Sequence, residues 1–242
     1  MKKSIKTRIF TFAIIGVLFM LLGSCRKNDN TPTLLTVTDI DGNVYHTVTI
    51  GSQVWMVENL KTTKYNDNTS IPLVTDSASW ISLTTPGYCW YNNDAANNKN
   101  VYGALYNWYT VNTGKLAPAG WHVPTHDEWT TMITYLGNDS VAGGKMKSTG
   151  TLEAGTGLWH TPNSGANNKS GFTALPGGYR AGTASSNGMS ANIGELGIWW
   201  TATEYDNSHS WNYYLVTNIV QVNYGYQDGE KTYGYSVRCV KD

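Results

Sequence analysis

The sequence predicts an α+β fold: short antiparallel strands and long polar loops, with two helices set in its first half. Three observations carry this. Residues 35–60 alternate apolar and polar side chains around tight-turn dipeptides. Two later stretches, 101–111 and 125–136, repeat apolar groups at helical spacing. From Lys145 to the end, short β-rich runs are separated by Asn-, Gly- and Ser-rich loops. Helices early and β structure late argue for α+β rather than for alternating βαβ units.

The first segment precedes the fold. Lys2, Lys3, Lys6 and Arg8 open the chain, and an apolar run follows from Ile9 to Leu22. That run is about 14 residues, whereas a membrane-spanning helix needs about 20. A basic start, a short apolar run and small residues at the cut read as a secretory signal over residues 1–24. Leu22-Gly23-Ser24-Cys25 resembles the bacterial lipobox, so Cys25 is expected to carry lipid and anchor the protein to a membrane. Residues 25–34 are polar and read as a lipidated tether, and residues 35–242 as one domain.

Within the domain, Leu35–Ile40 is a strand, Asp41-Gly42 a turn and Val44–Ile50 a second strand with Val44, His46, Val48 and Ile50 on one face. Gly51-Ser52 turns the chain into a third strand, Gln53–Leu60. Residues 61–100 read as irregular, with an apolar island at Cys89-Trp90-Tyr91. Val101–Val111 is expected to be helical, with Gly114 just beyond its end. A better-marked helix starts at the capping box Thr125-His126-Asp127-Glu128 and carries the stripe Trp129, Met132, Ile133, Leu136, with Gly137 as its stop. Gly143-Gly144 and Gly177-Gly178 read as turns. Strands are expected at Phe172–Leu175, Ile198–Thr203, Trp211–Thr217, Ile219–Asn223 and Tyr233–Val240.

Composition narrows function. Only 14% of residues are charged and the net charge is zero, so the basic stripe that nucleic-acid binding needs is missing and no nucleic-acid partner is expected. Ten Trp and sixteen Tyr against four Phe favour aromatic groups with a polar handle. With Cys25 lipidated, Cys89 and Cys239 remain as an even pair in an oxidising compartment. A disulfide between them is expected, worth about 4–5 kcal/mol for so long a loop; the alternative is two buried free thiols.

The phrases Tyr102-Gly103-Ala104-Leu105-Tyr106-Asn107-Trp108, Gly120-Trp121-His122-Val123-Pro124-Thr125, Gly171–Arg180, Trp199-Trp200-Thr201-Ala202-Thr203-Glu204 and Gly234–Val240 form a distinctive set. Together they resemble the FISUMP family, the major paralogous domain of Gram-negative fibre-degrading and gut bacteria. They cover roughly residues 36–242 in family order. The family is similar in pattern to the C-type-lectin-like fold as built in formylglycine-generating enzymes. The resemblance implies a C-type-lectin-like domain whose termini approach each other, and it implies no activity.

Catalysis is not expected. The copper-binding cysteine pair of formylglycine-generating enzymes has no counterpart, because Cys239 stands alone near the C-terminus. Pro124 separates His122 from His126, so the two do not share a helix face. No nucleophile elbow or phosphate loop occurs. No cofactor is expected, apart from a structural Ca²⁺ that the oxygen-rich loop Asn92-Asn93-Asp94 is suited to hold. The stretch from Trp199 to Tyr235 is more informative. It mixes Tyr and Trp with Asn, Ser and His, the blend of rigid amphipathic area and adaptable hydrogen bonding used by binding surfaces. Alternation assigns Trp211, Tyr213 and Leu215, and Tyr235, Val237 and Cys239, to the core. Tyr205, His209, Asn212, Tyr214, Asn223 and Tyr226 are left as candidate ligand-binding residues. The expectation is a lipid-anchored outer-membrane module that binds glycans or surface proteins. A structural or adhesive envelope component is the alternative, and an enzyme of the formylglycine-generating type is the third.

Overall fold

The computed structural model describes residues 35–226 and 229–242, all within one unit, Leu34–Asp242. The signal segment, Cys25 and the tether lie outside the described residues. The domain is α+β with antiparallel sheets.

The opening meander forms as predicted: β1 (Thr36–Thr38), β2 (Val44–Ile50) and β3 (Gln53–Met56), the last four residues shorter than expected. Asp39 builds the first turn. Its carboxylate accepts from the backbone N–H of Asp41 and Asn43 at 3.0 and 2.9 Å and from the Tyr45 hydroxyl at 2.6 Å. The sheet is completed by β6 (Trp121–His122) and β12 (Val240–Lys241) in the order β1-β2-β3-β12-β6, so the chain's last strand lies beside β3, near the start of the domain. The face of β2 that carries Val44, His46, Val48 and Ile50 is not uniformly buried. Val44 and His46 are exposed, and only Val48 and Ile50 pack inward. Tyr45 and Thr47 on the opposite face are buried as well. The sheet is covered on both sides, so simple alternation misreads it.

Among the described residues there are five α-helices, not two: α1 (Ser77–Ile81), α2 (Ala95–Tyr102), α3 (Trp108–Val111), α4 (His126–Tyr135) and α5 (Asp139–Met146). α4 has the predicted capping box, with Thr125 and Glu128 bonded reciprocally. The single helix expected over 101–111 is instead the end of α2, the short strand β5 (Leu105–Tyr106) and α3; β5 pairs with β4 (Tyr88–Cys89). Gly103 breaks it, with φ +80°, and a Cβ there would lie 2.7 Å from the Leu60 carbonyl oxygen. The helices missed in the sequence start at Asp76, Asp94 and Asn138, whose side chains cap the first turn. Asx residues mark loops and helix starts alike, which is why these read as loop. Gly143 and Gly144 do not form a turn. They lie inside α5, where a Cβ would come within 2.5 Å of the Val220 carbonyl and 2.6 Å of the Gly165 carbonyl.

The later strands are β7 (Gly177–Arg180) paired with β8 (Ser190–Ile193), and a sheet of β9 (Leu196–Glu204), β10 (Ser210–Val216) and β11 (Asn223–Gly225) in the order β11-β10-β9. Phe172–Leu175 is not a strand: Thr173 adopts φ +55°, and only an isolated bridge joins Ala174 to Lys147. Pairing begins at the glycines read as a turn, because Gly178 lets the backbone of residue 191 approach closely. Residues 219–222 precede a shorter strand, and Tyr233–Ser236 makes only isolated bridges, to Arg180, Tyr106 and Trp199.

Trp199 and Trp200 point to opposite faces of β9 and join different apolar clusters. One cluster gathers Tyr45, Met56, Tyr106, Trp200 and Val237. The other gathers Trp55, Trp129, Phe172, Trp199 and Tyr213. The expected disulfide is absent. Cys89 and Cys239 are both free and fully buried, Cys89 beside Trp80 and Leu105 in a third cluster and Cys239 in the first. Burial pushes both thiols up, Cys89 to about 11, so neither is a ready thiolate.

Candidate functional site

Three features of the chain meet at one pocket on the β9–β10–β11 sheet. Along β10, alternation sends Trp211, Tyr213 and Leu215 to one side and Asn212 and Tyr214 to the other. In register, Asn212 stands opposite Trp200 and Tyr214 opposite Ile198. On β11, Asn223 stands opposite Tyr214. The reciprocal backbone bonds between Gly234 and Arg180, 2.8 and 2.9 Å, then bring Tyr233 and Tyr235 beside Tyr179 of β7. The Tyr179 ring lies 6.0 Å from that of Tyr233 and 6.4 Å from that of Tyr235.

The result is a cavity of about 260 Å³ walled by the rings of Tyr179, Tyr214, Tyr233 and Tyr235 and by Leu196 and Ile198. Its remaining lining residues are Asn192, which is exposed, and Asn212, which is 1% exposed. Among the described residues, neither Oδ1 nor Nδ2 of Asn212 has a hydrogen-bond partner. An amide buried with both ends idle is costly, on the order of 1–3 kcal/mol for each group, and calls for an explanation. Among the described residues, no charged side chain lines the cavity.

The six sequence candidates do not form one patch. Asn212 and Tyr214 line the pocket. Asn223 neighbours Tyr214, but its Oδ1 accepts from Gln221 at 2.8 Å. Tyr205 and Tyr226 stack at 3.6 Å, nearly parallel, and pack edge-on against Trp211, which places them on the opposite side of the sheet. Their mutual hydrogen bond raises the Tyr205 pKa. His209 belongs to the β9–β10 turn, where Nδ1 meets the Asp206 carboxylate at 2.9 Å. Tyr179, Asn192, Leu196 and Tyr233 are not among the sequence candidates; Tyr235, read as core, is buried in the first cluster and also lines the cavity. Their only signal was the tyrosine within Gly171–Arg180 and beside Gly234, and nothing local joins those two segments.

A second cavity, of about 270 Å³, lies against Tyr213 and Tyr224. Its polar lining is Thr130, Thr134, Asn138 and Asp139, of which Asn138 caps α5. His126 lies over Trp211 at 4.4 Å, and burial lowers its pKa. His122 bridges Asp242 at 2.6 Å and Glu128 at 2.7 Å. In the loop weighed for Ca²⁺, Asp94 accepts from the N–H and side-chain amide of Asn97 as the α2 cap. Among the described residues, no group of three or more His, Cys, Asp or Glu side chains is arranged to hold a metal ion, and no helix is long and apolar enough to cross a membrane.

The family profile described as the Fibrobacter succinogenes major domain matches residues 48–241, the family that the sequence motifs resemble. No curated protein and no solved structure matches the chain.

Proposed function

The chain belongs to the Fibrobacter succinogenes major domain family, and from that premise we propose that it is a lipid-anchored binding module of the cell envelope. Its ligand site is the tyrosine-walled pocket, its ligands are glycans or surface proteins, and it performs no catalysis. Its anchor is the lipid on Cys25, at the outer membrane. Its fold is C-type-lectin-like, of the kind used by formylglycine-generating enzymes; the pairing of β12 with β3 supports this, since that fold brings its termini together.

The single observation that carries the binding role is Asn212: a buried carboxamide at a cavity, with donor and acceptor both unpartnered. Buried polar groups without partners are rare in stable cores, and a site that exchanges ligand for water is one place they persist. The test is a screen of glycans and envelope proteins against the intact chain, repeated with Asn212→Leu and Tyr214→Ala. Hits should be lost in both variants, and hits that survive both would refute the assignment.

One observation favours the alternative of a structural or adhesive envelope component. Trp199, Trp200, Tyr213 and Tyr235, four members of the aromatic-rich stretch, are fully buried. On that reading Asn212→Leu and Tyr214→Ala change stability alone and no screened ligand depends on them.

A further inference from the structure

Resting on the assignment of the pocket as the ligand site, we infer that its ligand is a single uncharged sugar ring, recognised through a pair of neighbouring hydroxyls by the carboxamide of Asn212. Three observations converge on this class. First, among the described residues no Asp, Glu, Lys, Arg or His lines the cavity. A charged ligand would leave water and meet no counter-charge among these residues, which favours a neutral molecule. Second, Asn212 offers one acceptor and one donor, both idle. A hydroxyl both gives and accepts a hydrogen bond, so two adjacent ring hydroxyls satisfy Oδ1 and Nδ2 together. A purely apolar ligand would leave the amide as unpaired as it is now. Third, the walls are tyrosine rings and two aliphatic side chains. Such amphipathic rings suit a ligand with C–H faces and a hydroxyl rim.

Size sets the limit at one ring. The cavity, about 260 Å³, falls just below the roughly 300–1,000 Å³ of sites that hold drug-sized ligands. A longer glycan enters by one residue and leaves the rest outside, past exposed Asn192. A primary amide, such as a glutamine side chain, also matches Asn212 atom for atom. It is too slim to cover four aromatic walls, which favours the sugar. The Asn212 amide atoms are shut off from bulk water, so binding includes a small parting of the side chains around them.

The experiment uses the intact protein with ligand-observed NMR and calorimetry. The probes are neutral pyranoses (glucose, galactose, mannose, xylose and N-acetylglucosamine), their charged counterparts glucuronic acid and glucosamine, and N-acetylglutamine amide. At least one neutral pyranose should bind, with the charged sugars and the amide at least tenfold weaker. Asn212→Leu should weaken that binding at least tenfold and should melt no lower than wild type, because it removes an unpaired buried amide. Tyr214→Ala, which truncates a half-buried wall of the cavity and leaves the amide in place, guards against a folding defect at Asn212 and should lose binding to a similar degree. Best binding by the amide probe or by a charged sugar, still dependent on Asn212, overturns the sugar class and leaves the pocket as the site. If no probe's binding depends on Asn212, both the class and the pocket assignment fall.

Discussion

Arg238 is fully buried, and among the described residues no carboxylate forms an ion pair with it. Its guanidinium sits 4.2 Å from the Phe172 ring and 5.8 Å from that of Trp199. Nη1 donates to the Phe172 carbonyl, and Nη2 donates to Asn59 Oδ1 at 2.8 Å. Asn59 accepts from Trp199 Nε1 with the same oxygen and donates to the Tyr102 carbonyl, so the guanidinium closes a network spanning five segments. Two charge-assisted bonds at about 1.5–3 kcal/mol each, plus about 2 kcal/mol of desolvated cation–π contact, oppose a burial penalty of several kcal/mol. Burial indeed pulls the Arg238 pKa down.

Two substitutions separate these effects. Arg238→Met removes the charge and its burial penalty but leaves the Phe172 carbonyl unpaired; the expected cost is about 2–3 kcal/mol. Arg238→Lys keeps a buried charge but loses the planar fork that reaches two acceptors at once; the expected cost is about 3–5 kcal/mol. For a domain near 200 residues, each kcal/mol lowers Tm by about 2–4 °C. Urea unfolding and thermal melts of both variants measure this. The reasoning is refuted if Arg238→Lys is as stable as wild type, since a point charge would then serve as well as the fork. It also fails if Arg238→Met gains stability, since the hydrogen bonds would then be worth less than the desolvation they offset.

Other expectations are more local. Burial disfavours charge on His122, but its bonds to Asp242 and Glu128 outweigh this and raise its pKa above the usual 6.5, while Glu128 is lowered from 4.5. The His122 contribution is therefore full below about 6.5 and lost as pH rises through its folded value; that of Glu128 is present above about 4.5 and lost as pH falls. The Tm difference between wild type and His122→Gln should be largest between about pH 5 and 6 and shrink as pH rises above about 6.5; a pH-independent difference would show that the ion pairs contribute nothing. Gly103→Ala should cost about 2–4 kcal/mol in urea unfolding, from positive φ and the approach to Leu60, and a neutral result would mean the 101–111 segment relaxes freely. Thiol titration of unfolded, unreduced protein should find Cys89 and Cys239 both reactive, and both protected in the folded state; oxidised protein would contradict the separate clusters that hold them. Cys25→Ser should abolish incorporation of a labelled fatty acid, and undiminished labelling would remove the anchor from the proposed function.

Local chemistry made part of this fold legible. Asp41-Gly42 and Gly51-Ser52 mark turns that depend on their own residues, so the β1–β3 meander could be read directly. The Thr125–Glu128 box likewise carries its own hydrogen bonds, and α4 begins where the sequence says. The Asx-capped helices α1, α2 and α5 could not be told from loops, because a cap and an Asx turn use the same side chain. Alternation along β2 and β10 was visible, but both faces of each strand are buried or aromatic, so periodicity separated the faces without saying which looks at a cavity.

By itself the sequence determined the family, the α+β class, the meander, the capped helix and a tyrosine-rich C-terminal stretch, because each rests on residues near one another in the chain. Only the tertiary structure decided that Cys89 and Cys239 stay apart and that the six candidate residues fall on two sides of a sheet. It also decided that Tyr179 and Tyr233 meet Asn212. The physical reason is the Gly234–Arg180 bridge: a backbone pairing between segments more than fifty residues apart in the chain leaves no local pattern, yet it walls the pocket beside the Asn212 amide.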